Sequence, residues 1–173
     1  MDVSQETVID AIRVAAKRSE VIAAIESLYR ALDAEIIGHA PTCWNKGECC
    51  RFGEYGHRLY VTPLEVAYYL AIQAVPETLA APPSATSLAV LNSGGLSSGD
   101  TCPHARGGRC QIRSVRPMGC RIFYCDPAAR HWQGPMTEAY LARLRELHDT
   151  LGVPYFYADW MKVQEMLEQS ENV

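Results

Sequence analysis

Seven cysteines, concentrated in two irregular segments, constrain this chain more than any other feature of its 173 residues. Three lie within residues 41–58 and four within residues 101–135, and neither segment has the apolar period of a helix or a strand. We expect segments so poor in apolar residues to need more than hydrophobic burial to offset the entropy lost on ordering. Bonds between thiolates and a metal can supply that free energy. The predicted metal ligands are Cys43, Cys49, Cys50, Cys102, Cys110, Cys120 and Cys125.

The composition indicates a compartment that keeps these thiols reduced. Seven is an odd number of cysteines, and they are too sparse for a small disulfide scaffold. The N-terminal residues are charged throughout, and no apolar run reaches the roughly 18 residues that span a bilayer. We therefore expect a cytoplasmic protein with no membrane segment.

The apolar spacing outside the cysteine segments is that of helices, so the sequence predicts a mainly α, small single-domain protein over 1–173. Residues 1–38 are predicted to form one long amphipathic helix, with an apolar face wide enough for a core or a homo-oligomer contact. Residues 41–131 are predicted to form the metal-binding core, and residues 136–169 the C-terminal helices, the last one beginning at 156.

Two shorter elements are predicted inside the core. Residues 59–61 favour a short strand. Thr62, Pro63 and Glu65 then supply an N-cap hydroxyl, a proline at the first helical position and a carboxylate at the third, which together indicate the start of a helix. Residues 76–81 (PETLAA) are predicted to form a short helical turn, and residues 82–100 a surface connection.

Positive charge is concentrated around the later cysteines. Residues 101–131 carry a formal charge of plus 5, against minus 9 for the rest of the chain. A nucleic-acid-binding face is not usually interrupted by four cysteines, so nucleic acid is not an expected partner. Arginines beside thiols instead favour thiolates and offset the negative charge of a metal cluster. The six arginines are Arg106, Arg109, Arg113, Arg116, Arg121 and Arg130.

The cysteine spacing favours an iron–sulfur cluster over zinc. Structural zinc sites usually use C-x2-4-C pairs, and only Cys120 and Cys125 have such a spacing. The adjacent thiols of Cys49 and Cys50 suit a site with several metal atoms, or one ligand beside one redox-active thiol. Four of the five histidines are candidates but are not predicted as ligands; these four are His57, His104, His131 and His148.

Four strings together carry a family resemblance: CWNKGECC, LYVTPLE, CP and CQIRSVRPMGCRIF. They resemble the YkgJ-type cysteine-cluster family, described as a zinc- or iron-chelating domain, over residues 43–125. The resemblance implies metal chelation, and a flagellin lysine-N-methylase carries a similar cluster. This chain departs from the family pattern at Lys46, which stands in place of a cysteine, and at Arg113, which stands where tyrosine is frequent.

The resemblance leaves the reaction open. The chain has no phosphate-binding loop, dinucleotide fingerprint or nucleophile elbow. Alternatives to a metal-binding role are a metal-cluster-dependent enzyme or accessory protein, related to protein methylation, and a redox sensor that oxidises Cys49 and Cys50, with a protein partner in either case. Arg116 and Arg121 are predicted to bond sulfur or nearby carbonyls, and Trp44 and Trp132 to shield the cysteines.

Overall fold

Helix α4 (Pro63–Gln73) forms the centre of the fold, because its first seven residues are all buried. Helices α1 (Gln5–Ala16) and α2 (Ser19–Gly38) pack against it. Helices α6 (Arg130–Leu151) and α7 (Trp160–Glu171) complete the body, α6 against α2 and α7 against α1. The mainly α class predicted from the sequence is confirmed.

The computed structural model describes residues 5–44, 47–73 and 101–171. The predicted helical turn at 76–81 and the predicted connection at 82–100 lie outside these residues. Across the described ranges, no helix combines the length and apolar character needed to cross a membrane.

The N-terminal segment forms two helices, so the prediction of one long helix is wrong. Lys17 and Arg18 make the tight backbone bonds of a turn, and Arg18 is extended, with φ −93° and ψ 115°. A continuous helix would place Ser19 in the apolar stripe, whereas the break leaves Ser19 exposed. The break also turns α1 back onto α4, which buries Ile9 and Ile12.

The start of α4 follows the sequence prediction. The backbone N–H of Thr62 donates to Oε2 of Glu65 at 2.9 Å, which is the reciprocal bond of a capping box. Strand β1 (Tyr60–Val61) precedes this helix where a short strand was predicted.

The C-terminal region departs from the prediction at both helix starts. Helix α6 begins at Arg130, earlier than residue 136. The last helix begins at Trp160 and not at 156, because strand β4 (Ala158–Asp159) pairs antiparallel with β1. Gly152 ends α6 with φ +62°, a conformation that glycine adopts without strain.

The two cysteine segments contain short elements that join the core. The first holds a 3-10 turn at Glu48–Cys50 and helix α3 (Phe52–Tyr55), and the second holds strands β2 (Ala105–Arg106) and β3 (Arg109–Cys110) and helix α5 (Met118–Ile122). Several of their apolar side chains are buried, so hydrophobic burial contributes to the order of both segments. These side chains are Phe52, Ile112, Val115, Met118 and Ile122.

Candidate metal centre

Five of the seven cysteines line one small cavity between the two cysteine segments. The cavity has a volume of about 20 Å³. Its thiols, called here the inner thiols, are those of Cys49, Cys50, Cys102, Cys110 and Cys120. The sequence prediction that early and late cysteines meet therefore agrees with the structure for these five.

Backbone contacts hold the two segments together at this cavity. The N–H of Cys102 donates to the carbonyl of Cys50 at 2.7 Å. Gly47, with φ +70°, lies so close to Gly108 in the β2–β3 turn that a Cβ on Gly47 would stand 2.9 Å from the Gly108 carbonyl oxygen. Close approach of two glycines thus brings the first cysteine segment against the hairpin that carries Cys110.

The other two cysteines, Cys43 and Cys125, form an outer pair. They line a neighbouring cavity of about 50 Å³, which also reaches Cys49, Cys50 and Cys110. Cys43 is exposed. Burial and a hydrogen bond with Glu48 raise the pKa of Cys125 to about 11, which disfavours its thiolate.

Three inner thiols share hydrogen bonds around Cys50. The sulfurs of Cys49 and Cys50 lie 3.9 Å apart. Hydrogen bonding from Cys50 lowers the pKa of Cys49 to about 6 and that of Cys102 to about 7. The same sharing, with Cys102 and Cys49 as partners, raises the pKa of Cys50. The raised pKa makes Cys50 the thiol of this group that keeps its proton most strongly.

The remaining inner thiols are protonated at neutral pH. Burial raises the pKa of Cys110 and, more strongly, that of Cys120. The Arg116 guanidinium opposes this effect at both residues, because a nearby positive charge favours the thiolate. Metal binding would accordingly displace protons from these cysteines.

Deprotonated, the inner thiols are ligands that zinc and iron–sulfur clusters accept. The positions of these thiols in the structure are not those of a coordination shell. Within residues 5–44, 47–73 and 101–171, no three Cys, His, Asp or Glu side chains stand so that they could hold an ion. Two thiolates on one tetrahedral zinc ion lie about 3.8 Å apart, close to the separation at Cys49 and Cys50. Binding a metal would require the other thiols to turn toward the cavity.

Two buried N–H donors at the same cavity support this fit. Arg116 and Trp160 line it together with the five thiols. Nε of Arg116 and Nε1 of Trp160 are buried, and neither reaches an acceptor with hydrogen-bond geometry among the described residues. Buried donors are normally satisfied, so both N–H groups are available to a thiolate that turns toward the cavity.

Arg121 stabilises the loop between Cys110 and Cys120 by bonding to its backbone carbonyls and to helix α2. Its Nε donates to the Arg116 carbonyl at 2.9 Å, and its Nη2 donates to the Ser114 carbonyl at 2.5 Å. Its Nη1 forms an ion pair with Asp33 of α2 at 2.6 Å, and the guanidinium lies over the ring of Tyr29. The sequence left open whether Arg121 bonds sulfur or nearby carbonyls. Its hydrogen bonds to the loop are to carbonyls.

Glu65 anchors the α5 segment to the helical body. Its carboxylate accepts from the Met118 N–H at 2.7 Å, from the Tyr29 hydroxyl at 3.1 Å and from both the backbone and the hydroxyl of Thr62. Burial raises the pKa of Glu65, while these donors favour the carboxylate. Four donors from three parts of the chain thus fix the start of α5 and with it Cys120.

An aromatic cleft opens beside the inner thiols. It has a volume of about 180 Å³ and reaches both Cys49 and Cys120. His57 stacks on Phe123 with ring centroids 5.2 Å apart, and Tyr60 stacks on Tyr157 at 5.4 Å. The cleft gives a small molecule a path to two of the thiols.

The structure places the other predicted residues away from the inner thiols or only at the rim. Trp44 lines the outer cavity, whereas Trp132 stacks on His39. His104 bonds the Tyr69 hydroxyl at 3.2 Å, and His148 is buried with Nδ1 2.9 Å from the Val153 carbonyl. These histidine contacts are with protein groups, which agrees with leaving both outside the ligand set.

Sequence reasoning missed Trp160, the tryptophan that contacts the inner cavity. It lies at the start of α7, 102 positions after the end of the first cysteine segment at residue 58, and no local motif marks it. Its backbone N–H donates to the Leu59 carbonyl at 2.8 Å, which continues the β1–β4 pairing and brings the indole to the cavity.

Comparison of the chain with protein-family models, with curated proteins and with solved structures finds no match in any of the three. The resemblance to the YkgJ-type family therefore stays a prediction.

Proposed function

We propose that the protein binds a metal centre, an iron–sulfur cluster or zinc, through the inner thiols. The convergence of five cysteines from both segments on one cavity carries the proposal. Thiolates are the ligands that zinc and iron–sulfur clusters share. The two unsatisfied N–H donors support an anionic occupant, since a four-thiolate centre carries net negative charge.

The dimensions of the cavity favour a single ion over a cluster. A space of about 20 Å³ is close to that of one water molecule. An iron–sulfur cluster would require the thiols to separate, whereas zinc would require only that they turn inward. The cysteine spacing favours the cluster, so the metal itself is the first quantity to measure.

The proposal is tested by purification without oxygen, followed by elemental analysis and absorption spectroscopy. An iron–sulfur protein absorbs broadly near roughly 400 nm, and a zinc protein is colourless with stoichiometric zinc. The Cys102→Ser/Cys120→Ser variant should lose the metal. The Cys43→Ser/Cys125→Ser variant, altered in the outer pair, should keep it. Folded protein without either metal would refute the proposal.

A thiol redox sensor is the second candidate, favoured by the neighbouring sulfurs of Cys49 and Cys50 and by the lowered pKa of Cys49. Two thiols and one hydrogen peroxide would give one disulfide and two water molecules, with the sulfurs oxidised and the peroxide reduced. Mass spectrometry after peroxide treatment of metal-free protein would detect this bond. Its absence would exclude this candidate.

The enzyme alternative stays a prediction. If the metal centre acts on a substrate, the aromatic cleft beside Cys49 and Cys120 is the place where that substrate would bind. Substrate turnover that is lost in Cys120→Ala, with the fold retained, would identify such a role.

A further inference from the structure

Arg116 and Arg121 stand five residues apart, and the structure gives them different surroundings. Arg121 directs its guanidinium to two loop carbonyls and to Asp33. Arg116 lines both the inner and the outer cavity, and its Nε is buried without an acceptor among the described residues. Its positive charge favours the thiolates of Cys49, Cys110 and Cys120.

Trp160, the first residue of α7, lines the same inner cavity. The residue is 1% exposed. An indole N–H can only donate, and this one meets no acceptor with full hydrogen-bond geometry among the described residues. The acceptor that it approaches is the Cys102 thiol. The pKa of this thiol is lowered mainly by hydrogen bonding from Cys50, and the His104 backbone N–H and the Trp160 indole add to that effect.

We propose that Arg116 Nε–H and Trp160 Nε1–H are the two donors that hold the sulfur atoms of the bound metal centre, as positioning residues that bind no metal themselves. The inference rests on the proposed function, because it needs thiolate sulfur as the acceptor. Hydrogen bonds to coordinated sulfur stabilise its negative charge, and they raise the reduction potential of an iron–sulfur cluster.

The two donors are complementary in chemistry. Arg116 brings a full positive charge as well as an N–H group, and so offsets part of the negative charge of the thiolates. Trp160 brings an N–H group without charge and a large apolar surface that excludes water from the cavity. Substitutions can therefore separate the charge of Arg116 from its hydrogen bond, and the N–H of Trp160 from its packing.

The experiment compares Arg116→Gln, Arg116→Lys and Trp160→Phe with the wild type. Arg130→Gln and Trp132→Phe are the matched controls, because Arg130 is exposed at the start of α6 and Trp132 stacks on His39 away from the inner cavity. For a zinc protein, competition with a chelator gives the affinity. For an iron–sulfur protein, an anaerobic redox titration gives the midpoint potential. Thermal melts of the metal-free proteins report on the fold.

Loss of either donor should weaken zinc binding roughly tenfold to hundredfold, or lower the potential of a cluster, while the controls stay near the wild type. Arg116→Lys should fall between Arg116→Gln and the wild type, since it keeps the charge and loses Nε. Metal-free melts should not follow this order. If the wild type binds metal and these variants match the controls, the inference alone fails; if the wild type binds none, the proposed function and the inference both fail.

Discussion

The backbone N–H of Cys102 donates to the carbonyl of Cys50 at 2.7 Å, although 52 positions separate the two residues. This single bond places the beginning of the second cysteine segment against the 3-10 turn of the first. Both partners are backbone groups, so the bond holds Cys50 and Cys102 close to each other whatever their side chains bind. Substitutions can test the contacts that keep this arrangement.

Gly47→Ala should destabilise the protein more than Gly56→Ala. Both glycines have positive φ, +70° and +65°, so alanine strains the backbone at each by roughly 1 kcal/mol. Only at position 47 would the new Cβ also meet a backbone atom, the Gly108 carbonyl oxygen at 2.9 Å, whereas nothing lies within 4 Å at position 56. Urea denaturation of both variants gives the difference in free energy of unfolding. Equal losses would show that the Gly47–Gly108 contact has no energetic role.

Glu65→Gln should lower the free energy of unfolding by about 1–3 kcal/mol, because the amide nitrogen would face donors that the carboxylate now accepts. Glu54→Gln is the control, since Glu54 is exposed and pairs with Arg51 at the surface, and the change should alter stability by about 0.5 kcal/mol at most. Chemical denaturation measures both. A Glu65→Gln variant as stable as the control would contradict the anchoring role of Glu65.

The same residue predicts a dependence on pH. Burial raises the pKa of Glu65 above its ordinary value of 4.5, so the folded protein holds this proton more tightly than the unfolded chain. The contribution of Glu65 to the free energy of unfolding should therefore fall as pH rises from 4.5 through the raised pKa, and then stay constant. The difference between wild type and Glu65→Gln, measured across this window, isolates that slope. A difference that grows with rising pH would mean that the four donors outweigh burial.

Cys49 should be the first inner thiol to react with iodoacetamide in metal-free protein. Hydrogen bonding from Cys50 lowers its pKa to about 6, and the aromatic cleft gives the reagent access. A Cys43→Ser background removes the exposed cysteine, and peptide mass spectrometry between pH 5 and 9 (a range chosen around the value of about 6) follows each site. In Cys50→Ala, the midpoint for Cys49 should move up, since the donor is lost. An unchanged midpoint would rule out Cys50 as the cause.

Arg121→Lys should cost about 2 kcal/mol of stability, because lysine cannot donate to the Arg116 and Ser114 carbonyls and to Asp33 together. Arg113→Lys changes an exposed arginine of the same loop and should be near neutral. Thermal or urea unfolding distinguishes them. Comparable stability of the two variants would show that the bonds of Arg121 are replaceable.

Local patterns predicted the parts of the fold that local interactions determine. Thr62, Pro63 and Glu65 gave the start of α4 because a capping box involves only neighbouring residues. The break at Arg18 was not predicted, since the apolar stripe of α1 and α2 is nearly continuous. Packing of α1 on α4, a tertiary effect, decides it.

The candidate site, like the fold, was predictable from the sequence only in part. Two irregular cysteine segments predicted that thiols would meet, and the structure brings five of them together. The separation of Cys43 and Cys125 as an outer pair depends on how the segments cross, which spacing does not encode. Trp160 reaches the cavity through the pairing of β1 with β4, and a contact between strands so distant in sequence leaves no local signal.

The four hydrogen bonds to Glu65 bear on how far the fold depends on a bound metal. They join α5 to α2 and α4 by contacts that are complete without any inorganic component. Many small metal domains are unfolded until their ion arrives, because the ion is their main source of stability. If the inner thiols bind a metal as proposed, a chain fastened in this way should keep its helical body when a chelator removes that metal.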